Sequence, residues 1–180
     1  MKKIVISVLA VIMCAAVFSC GGKNSESSSK PESKVTYEDA FEDCFYSMYD
    51  NSRIDDFYLY ILPKAALDEL KENGKYEQYF APAHYHGGET QAEVNAVIEE
   101  VLRKVELTDN QLKAAENYLL RISKGYGAEL SSIEVTEGWQ IDYRFSVDGQ
   151  EATMSECYVY VKDDGWKRIT MEAEMLETFA

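Results

Sequence analysis

The spacing of apolar residues predicts a series of helices from residue 36 onward. In Tyr37 to Asp50, apolar side chains recur three and four positions apart, and acidic residues fill the opposite face. Thr36 and Asp39 have the spacing of a capping box, in which each side chain bonds the other residue's backbone N–H. Two more helices are predicted, at Ile54 to Leu62 and from Pro63, as the first helical residue, to Glu72.

The middle of the chain has a weaker pattern. Tyr76 to Glu89 shows no helical or strand period and is predicted to be irregular. Gln91 to Glu100 fits a helix, but its β-branched residues equally permit a strand that ends near Leu107, and periodicity leaves both open. Asp109 to Lys124 is predicted as a helix with Thr108 as its N-cap.

The last third of the chain changes to the alternating pattern of half-buried strands. Asp-Gly turns separate the alternating segments, so they should form an antiparallel meander. Residues 133–136 are expected to lead into the first strand through a bulge at Gly138. The predicted strands are Trp139 to Val147, Glu151 to Lys162 and Trp166 to Met171. The fold class is therefore α+β: N-terminal helices pack on a curved antiparallel sheet, and the helices are expected on one face of that sheet.

The order of elements and the end of the sheet carry a resemblance. The last strands read YVYVKDDGWKRI, and the segment LTDNQLKAAENYL precedes the sheet. Over residues 37–171 the chain resembles exported lipoproteins of the cystatin-like, nuclear-transport-factor-like superfamily. The resemblance implies a cone-shaped domain with a pocket between helix and sheet, and it implies no substrate.

The amino terminus has the pattern of an export signal. Lys2 and Lys3 precede an uncharged run from Ile4 to Ser19, which is short for a membrane span. Residues 17–20, Val-Phe-Ser-Cys, resemble the lipobox of bacterial lipoproteins, in which Cys20 would carry the lipid. An uncleaved signal anchor remains the alternative.

These features divide the chain into three parts. Residues 1–19 are the expected signal peptide, and residues 20–34 are the lipidated cysteine and a flexible tether rich in Gly, Ser and charged residues. Residues 35–180 are expected to form a single globular domain. The expected location is the extracytoplasmic face of a cell membrane, held there by the lipid.

The composition limits the partners. The formal net charge of −14 argues against nucleic acid and against a basic membrane-binding surface. The 13 tyrosines suit either an amphipathic core and rim or a contact surface. Besides the membrane, the expected partner is a small molecule, a peptide or a cell-envelope protein, and no cofactor is expected.

Few residues are candidates for chemistry. His84 and His86 would point to the same side of an extended segment, which is a weak metal-binding pattern because further ligands must come from elsewhere. Cys44 lies in the apolar stripe of the first helix, and Cys157 lies in a strand in phase with apolar residues. Both thiols are expected in the same core layer, either as a disulfide or as two separate buried thiols.

Three functions follow from the sequence. The first is a non-enzymatic module that binds its partner through a helix–sheet pocket or an aromatic rim. The second is an enzyme of the same fold that uses a carboxylate in the pocket as a base. The third is an exported metal-binding protein that uses His84 and His86.

We predict that replacing the lipobox cysteine, Cys20→Ala, abolishes lipidation because the sulfur that receives the lipid is lost. The measurement is incorporation of labelled fatty acid into the immunoprecipitated chain. Label that persists in the variant would contradict the assignment of Cys20.

Overall fold

The computed structural model describes residues 35–80 and 94–180. The predicted signal peptide, Cys20 and the tether lie outside these ranges, and so do His84 and His86. Of the helices within the two ranges, none is long and apolar enough to cross a membrane.

Several short helices precede the sheet, and one long helix lies between its first two strands. The predicted capping box is confirmed, because Thr36 Oγ1 accepts from the backbone N–H of Asp39 and the Asp39 carboxylate accepts from the N–H of Thr36. Thr108 and Gln111 form the same arrangement at the start of the long helix. The helices are α1 (Tyr37–Tyr49), α2 (Ile54–Ile61), α3 (Lys64–Glu72), α4 (Lys75–Tyr79), α5 (Asp109–Tyr126) and α6 (Ala173–Leu176), with 3-10 turns at Asn51–Arg53 and Glu177–Phe179.

The sheet has four antiparallel strands that are neighbours in chain order. Asp148 and Gly149, both at positive φ, make the tight turn that joins its two longest strands. The strands are β1 (Ala96–Glu106), β2 (Val135–Val147), β3 (Gln150–Val161) and β4 (Gly165–Ile169). The predicted α+β class, with N-terminal helices ahead of an antiparallel sheet, is confirmed.

Helices cover both faces of the sheet rather than one. We call the face that α1 contacts the aromatic face and the face that α5 contacts the aliphatic face. On β3, Tyr158 points to the aromatic face, whereas its neighbours Cys157 and Val159 point to the aliphatic face. The prediction that one face carries the helices is therefore wrong, because β3 is buried on both sides along its second half.

The aromatic face is held to α1 by rings that meet edge to face. The Phe41 ring lies 4.8 Å from the ring of Tyr143, and the Phe45 ring lies 5.7 Å from that of Phe145. Tyr37, at the start of α1, stacks on Trp139 at 4.7 Å. Such ring pairs add about 0.5–1.5 kcal/mol each beyond the burial of their area. These side chains pack together in the layer between α1 and the sheet.

On the aliphatic face, position 138 of β2 has no room for a side chain. A Cβ at position 138 would lie 2.8 Å from a methyl of Leu107 and 3.0 Å from one of Val159. The predicted bulge is not at Gly138, because the register shifts between Val135 and Glu137. The extra residue turns Val135 toward the aliphatic face, where it is buried in the same cluster as Val159.

Three other sequence interpretations are decided by the structure. Residues 96–106 form a strand, so the strand alternative for this segment is the correct one. Part of the segment predicted to be irregular is helical, as α4, and Pro63 is the N-cap of α3 rather than its first residue.

The two buried cysteines are free thiols, so the disulfide that the sequence left open is not formed. Helix α1 does contact β3, as predicted, but it does so on the aromatic face, where Cys44 and Tyr158 lie in the same buried cluster. Cys157 points to the aliphatic face and donates to the carbonyl of Met171. The prediction that both thiols lie in one core layer is wrong, because consecutive side chains of β3 point to opposite faces of the sheet.

We predict that Phe45→Ala lowers the free energy of unfolding by about 3–5 kcal/mol, because the variant leaves a cavity between α1 and the sheet. Phe45 is 2% exposed and meets the rings of Tyr49, Tyr143 and Phe145. Its chain neighbour Tyr46 is 41% exposed, so Tyr46→Ala is the matched control and should cost less than about 1 kcal/mol. Urea denaturation followed by circular dichroism measures both, and equal losses would contradict the packing.

Candidate functional site

A buried ion pair lies on the aromatic face between β3 and β4. Glu156 is 1% exposed and Arg168 is 7% exposed. Arg168 lies directly opposite Tyr158, so it reaches Glu156 diagonally across the two strands. The Arg168 Nε and Nη2 atoms both lie 2.7 Å from Oε2 of Glu156. The other carboxylate oxygen, Oε1, accepts from the hydroxyls of Tyr143 at 3.1 Å and Tyr158 at 3.0 Å.

The electrostatics of this cluster follow from burial and mutual attraction. Burial alone would lower the pKa of Arg168, but the charge of Glu156 and its hydrogen bonds outweigh that effect, and the pKa is raised. Burial, reinforced by Glu156, raises the pKa of Tyr143. Burial also raises the pKa of the Cys44 thiol to about 12, so this cysteine is protonated at neutral pH. The cluster therefore consists of one internally compensated charge pair with neutral donors around it.

This arrangement favours a structural role over general-base chemistry. Both oxygens of Glu156 already accept hydrogen bonds, one pair from tyrosines and one from the guanidinium. The remaining guanidinium hydrogens point toward the sulfur atoms of Met48 and Met154. Throughout the described ranges, no buried side-chain nitrogen or oxygen lacks a partner. A base would need a lone pair directed at a substrate, and here the lone pairs are already engaged.

A second polar cluster lies on the aliphatic face, where β1 meets β2 and β3. The Asp142 carboxylate accepts from Gln140 at 2.7 Å, from Ser155 at 2.5 Å and from Arg103 at 2.5 Å. Burial acts to raise the pKa of Asp142, but these donors outweigh it and the pKa is lowered. Asp142 is thereby the acceptor that ties β1, β2 and β3 together.

Lys167 on β4 is the most deeply buried cation. It is 2% exposed, and its Nζ donates to the Leu59 carbonyl at 2.9 Å and to Asp164 at 2.8 Å. Burial lowers its pKa, and Asp164 opposes that shift. Asp164 also accepts from the backbone N–H of Lys64 at the start of α3. These contacts tie α2 and α3 to the turn between β3 and β4.

Two open grooves lie on the surface of the described ranges. One, of about 460 Å³, is bordered by the start of α3, residues 130–134 and the β3–β4 turn. The other, of about 430 Å³, is bordered by the second half of α5 and residues 129–130. Neither is lined by Glu156, Arg168 or the two cysteines.

The outer strand β1 presents apolar side chains to solvent. We call the exposed residues 97 and 99–106 the β1 surface. Val97, Val101, Leu102 and Val105 are 37%, 42%, 48% and 42% exposed. Charged residues lie between them, with Glu99 and Glu100 before Val101 and Arg103 and Lys104 after Leu102. In the part of the chain that the structure describes, β2 is the strand that pairs with β1, and the outer edge has no partner strand.

The residues singled out from sequence have different outcomes. Cys44 and Cys157 are buried and apart, on opposite faces of the sheet. Cys20, His84 and His86 lie outside the described ranges, so their proposed roles rest on the sequence. Within residues 35–80 and 94–180, no group of three or more His, Cys, Asp or Glu side chains is arranged to hold a metal ion.

Sequence reasoning missed the buried ion pair, although a signal was present. Glu156 lies in the same alternation phase as Tyr158, and Arg168 lies in the same phase as Trp166. Opposite charges in the apolar phases of neighbouring strands indicate a cross-strand ion pair.

Comparison of the chain with protein-family models, curated proteins and solved structures gives no match.

We predict that Glu156→Gln and Arg168→Met each lower the free energy of unfolding by about 3–5 kcal/mol, because each leaves one buried charge without its partner. The double variant should be more stable than either single variant, since it removes both charges together. Urea denaturation of the four chains measures this coupling.

The control for this cycle is Glu134→Gln. It disrupts the pair of Glu134 with Lys162, whose side chains are 60% and 54% exposed, and should cost less than about 1 kcal/mol. Strictly additive losses for Glu156 and Arg168 would contradict the coupling of the two side chains.

Proposed function

We propose that this chain is a lipid-anchored protein of the extracytoplasmic membrane face, and that its folded domain is a binding module rather than an enzyme. The observation that carries the binding role is the β1 surface, an exposed outer strand of 11 residues with four exposed aliphatic side chains. We propose that it binds an extended polypeptide segment, which would add to the sheet as a further strand.

The chemistry of an outer strand supports this class of ligand. Among the described residues, the outer edge of β1 has no partner strand, and between its two register shifts alternate residues direct backbone N–H and C=O groups outward, where an added strand can pair with them. Exposed aliphatic side chains then supply apolar contacts, and charged side chains between them supply selectivity. Natural proteins commonly shorten or cover such edges. β1 has two register shifts, yet in the part of the chain that the structure describes it keeps 11 residues and an unpaired outer edge, which is the feature expected of a binding surface.

The proposed anchor matches this arrangement. A lipid on Cys20 and a polar tether at residues 20–34 would hold the domain near the membrane while its surface stays accessible. The net charge of −14 would disfavour adsorption of the domain to anionic lipid. The tether would therefore present the β1 surface to a polypeptide partner rather than to the bilayer.

A specific observation also favours an enzyme as the second candidate. Glu156 is a buried carboxylate with tyrosine and arginine neighbours, which is a composition that active sites use. The enzyme is the second candidate because both carboxylate oxygens of Glu156 already accept hydrogen bonds within the chain. The metal-binding alternative depends on His84 and His86 and gains no support from the described residues.

We predict that a photo-reactive amino acid at position 101 of the full chain forms polypeptide adducts in intact cells, because the β1 surface is in contact with a partner strand. The same amino acid at position 72, an exposed site on α3, is the control and should give background labelling. Adducts are identified by mass spectrometry, and they should map to an extended segment. Background labelling at positions 97, 101 and 105 alike would contradict the proposed binding surface.

The anchor requires a separate check. Protease added to intact cells, or to cells whose outer barrier has been removed, should digest the domain, and the undigested chain should fractionate with membranes. A chain found only in the cytosolic fraction would contradict the proposed location.

A further inference from the structure

The charges of β1 are separated along the strand. The acidic pair Glu99 and Glu100 lies before the central Val101-Leu102, and the basic pair Arg103 and Lys104 lies after it. Val97 and Val105 flank the two charged pairs at equal distances from Val101. The strand therefore has an acidic half and a basic half around an apolar centre.

This order of charges is complementary to itself when the strand is reversed. Register shifts leave Glu99 and Leu102 as extra residues of β1 without a partner on β2. In an antiparallel pair centred on Val101 that leaves these two residues out of the ladder, the acidic half of one strand lies along the basic half of the other, with Glu100 opposite Arg103 and Val97 opposite Val105. A parallel pair in register would instead place acid beside acid and base beside base.

The faces of the side chains agree with this register. Val97 pairs with Ser146 on β2 and Val105 pairs with Gln140, so both valines lie on the same face of the sheet. Val101 pairs with Tyr143 and lies on the other face, where it would meet its own counterpart at the symmetry axis. Residues directly opposite in an antiparallel pair must share a face, and these pairs do.

We infer that β1 pairs antiparallel with β1 of a second copy of this chain, which joins two four-stranded sheets into one continuous sheet. This inference rests on the proposed function, because it assigns a partner to the same surface. The pairing has twofold symmetry and closes after two copies, since each β1 edge is then used. The opposite sheet edge, β4, is five residues long and lies beside α2.

Net charge makes local complementarity necessary. Two chains of formal charge −14 repel each other, so the copies associate only where the contact itself joins opposite charges. The acidic and basic halves of β1 provide two such contacts, one on each side of the symmetry axis. Like-charge juxtaposition at these positions should therefore abolish the pairing.

Two charge-reversed variants of the full chain test the inference by mixing. In Glu99→Lys/Glu100→Lys both halves of β1 are basic, and in Arg103→Glu/Lys104→Glu both halves are acidic. Each variant alone should dimerise at least about 100-fold more weakly than the unmodified chain, because like charges face each other. The equimolar mixture should form a heterodimer of nearly unmodified affinity, because the two strands are fully complementary. Native mass spectrometry of the chains, purified from membranes in detergent, separates the three dimers by mass.

The controls exclude loss of folding and a nonspecific charge effect. The reversed residues bond Ser146, Arg144, Asp142 and Glu38 within the chain, so circular dichroism must first show that both variants fold. Mixing changes neither fold, so association that appears only on mixing reports the strand charges. Glu72→Lys/Glu77→Lys makes the same change in net charge as Glu99→Lys/Glu100→Lys, at exposed sites on α3 and α4, and it should dimerise like the unmodified chain.

The outcomes separate this inference from the proposed function. An unmodified chain that remains monomeric up to high micromolar concentration overturns the self-pairing, and so do folded variants that fail to associate on mixing. If the photo-adducts at position 101 then contain a different polypeptide, the binding module stands with another partner. If position 101 also gives only background labelling, both proposals fail.

Discussion

The central constraint on this fold is that β3 supplies two cores at once. Its alternate side chains enter opposite layers, with Tyr158 among the rings of α1 and with Cys157 and Val159 against α5. Both helices must therefore lie across the same strand from opposite sides. The capping boxes at Thr36 and Thr108 fix where those two helices begin. The missing side chain at Gly138 leaves room for residues at the end of β1 and on α5 to pack against β2. The buried pair of Glu156 and Arg168 is accommodated because β3 and β4 bring the two charges together within one layer.

Much of the secondary structure follows from local rules that act within a few residues. The alternation in β2, the Asp148-Gly149 turn and the two capping boxes each depend on neighbouring positions, and each was predictable. The burial of both sheet faces also had a signal, because the run Cys157 to Val161 is apolar at every position, which is typical of a strand covered on both sides. The prediction that helices cover one face did not take this apolar run into account. The prediction that Cys44 and Cys157 share a core layer was wrong for the same reason, because it also assumed a single buried face.

Two features depend on the tertiary structure and could not be predicted from the sequence. Register shifts after Ile98 and after Val101 interrupt the alternation of β1, so its sequence matched a helix and a strand equally well. The exposure of its valines is a property of the outer position in the sheet, and the strand's composition does not specify that position. The pairing of Glu156 with Arg168 could be suspected from phase alone, but the two tyrosines that complete the cluster come from register and packing.

The interior and the edge of the domain differ in how their polar groups are used. Buried Glu156 and Arg168 compensate each other between β3 and β4, and Lys167 and Asp164 bond backbone groups of α2 and α3, whereas in the described part of the chain the outer edge of β1 has no partner strand. Backbone hydrogen–deuterium exchange of the full chain over a dilution series tests this division most directly. The account predicts that β3 amides exchange slowly at all concentrations, while outward-facing β1 amides exchange fast in dilute samples and slowly in concentrated ones. Outward-facing β1 amides that exchange as slowly as β3 amides even in dilute samples would contradict the open edge, and outward-facing amides that exchange fast at every concentration would contradict the self-pairing.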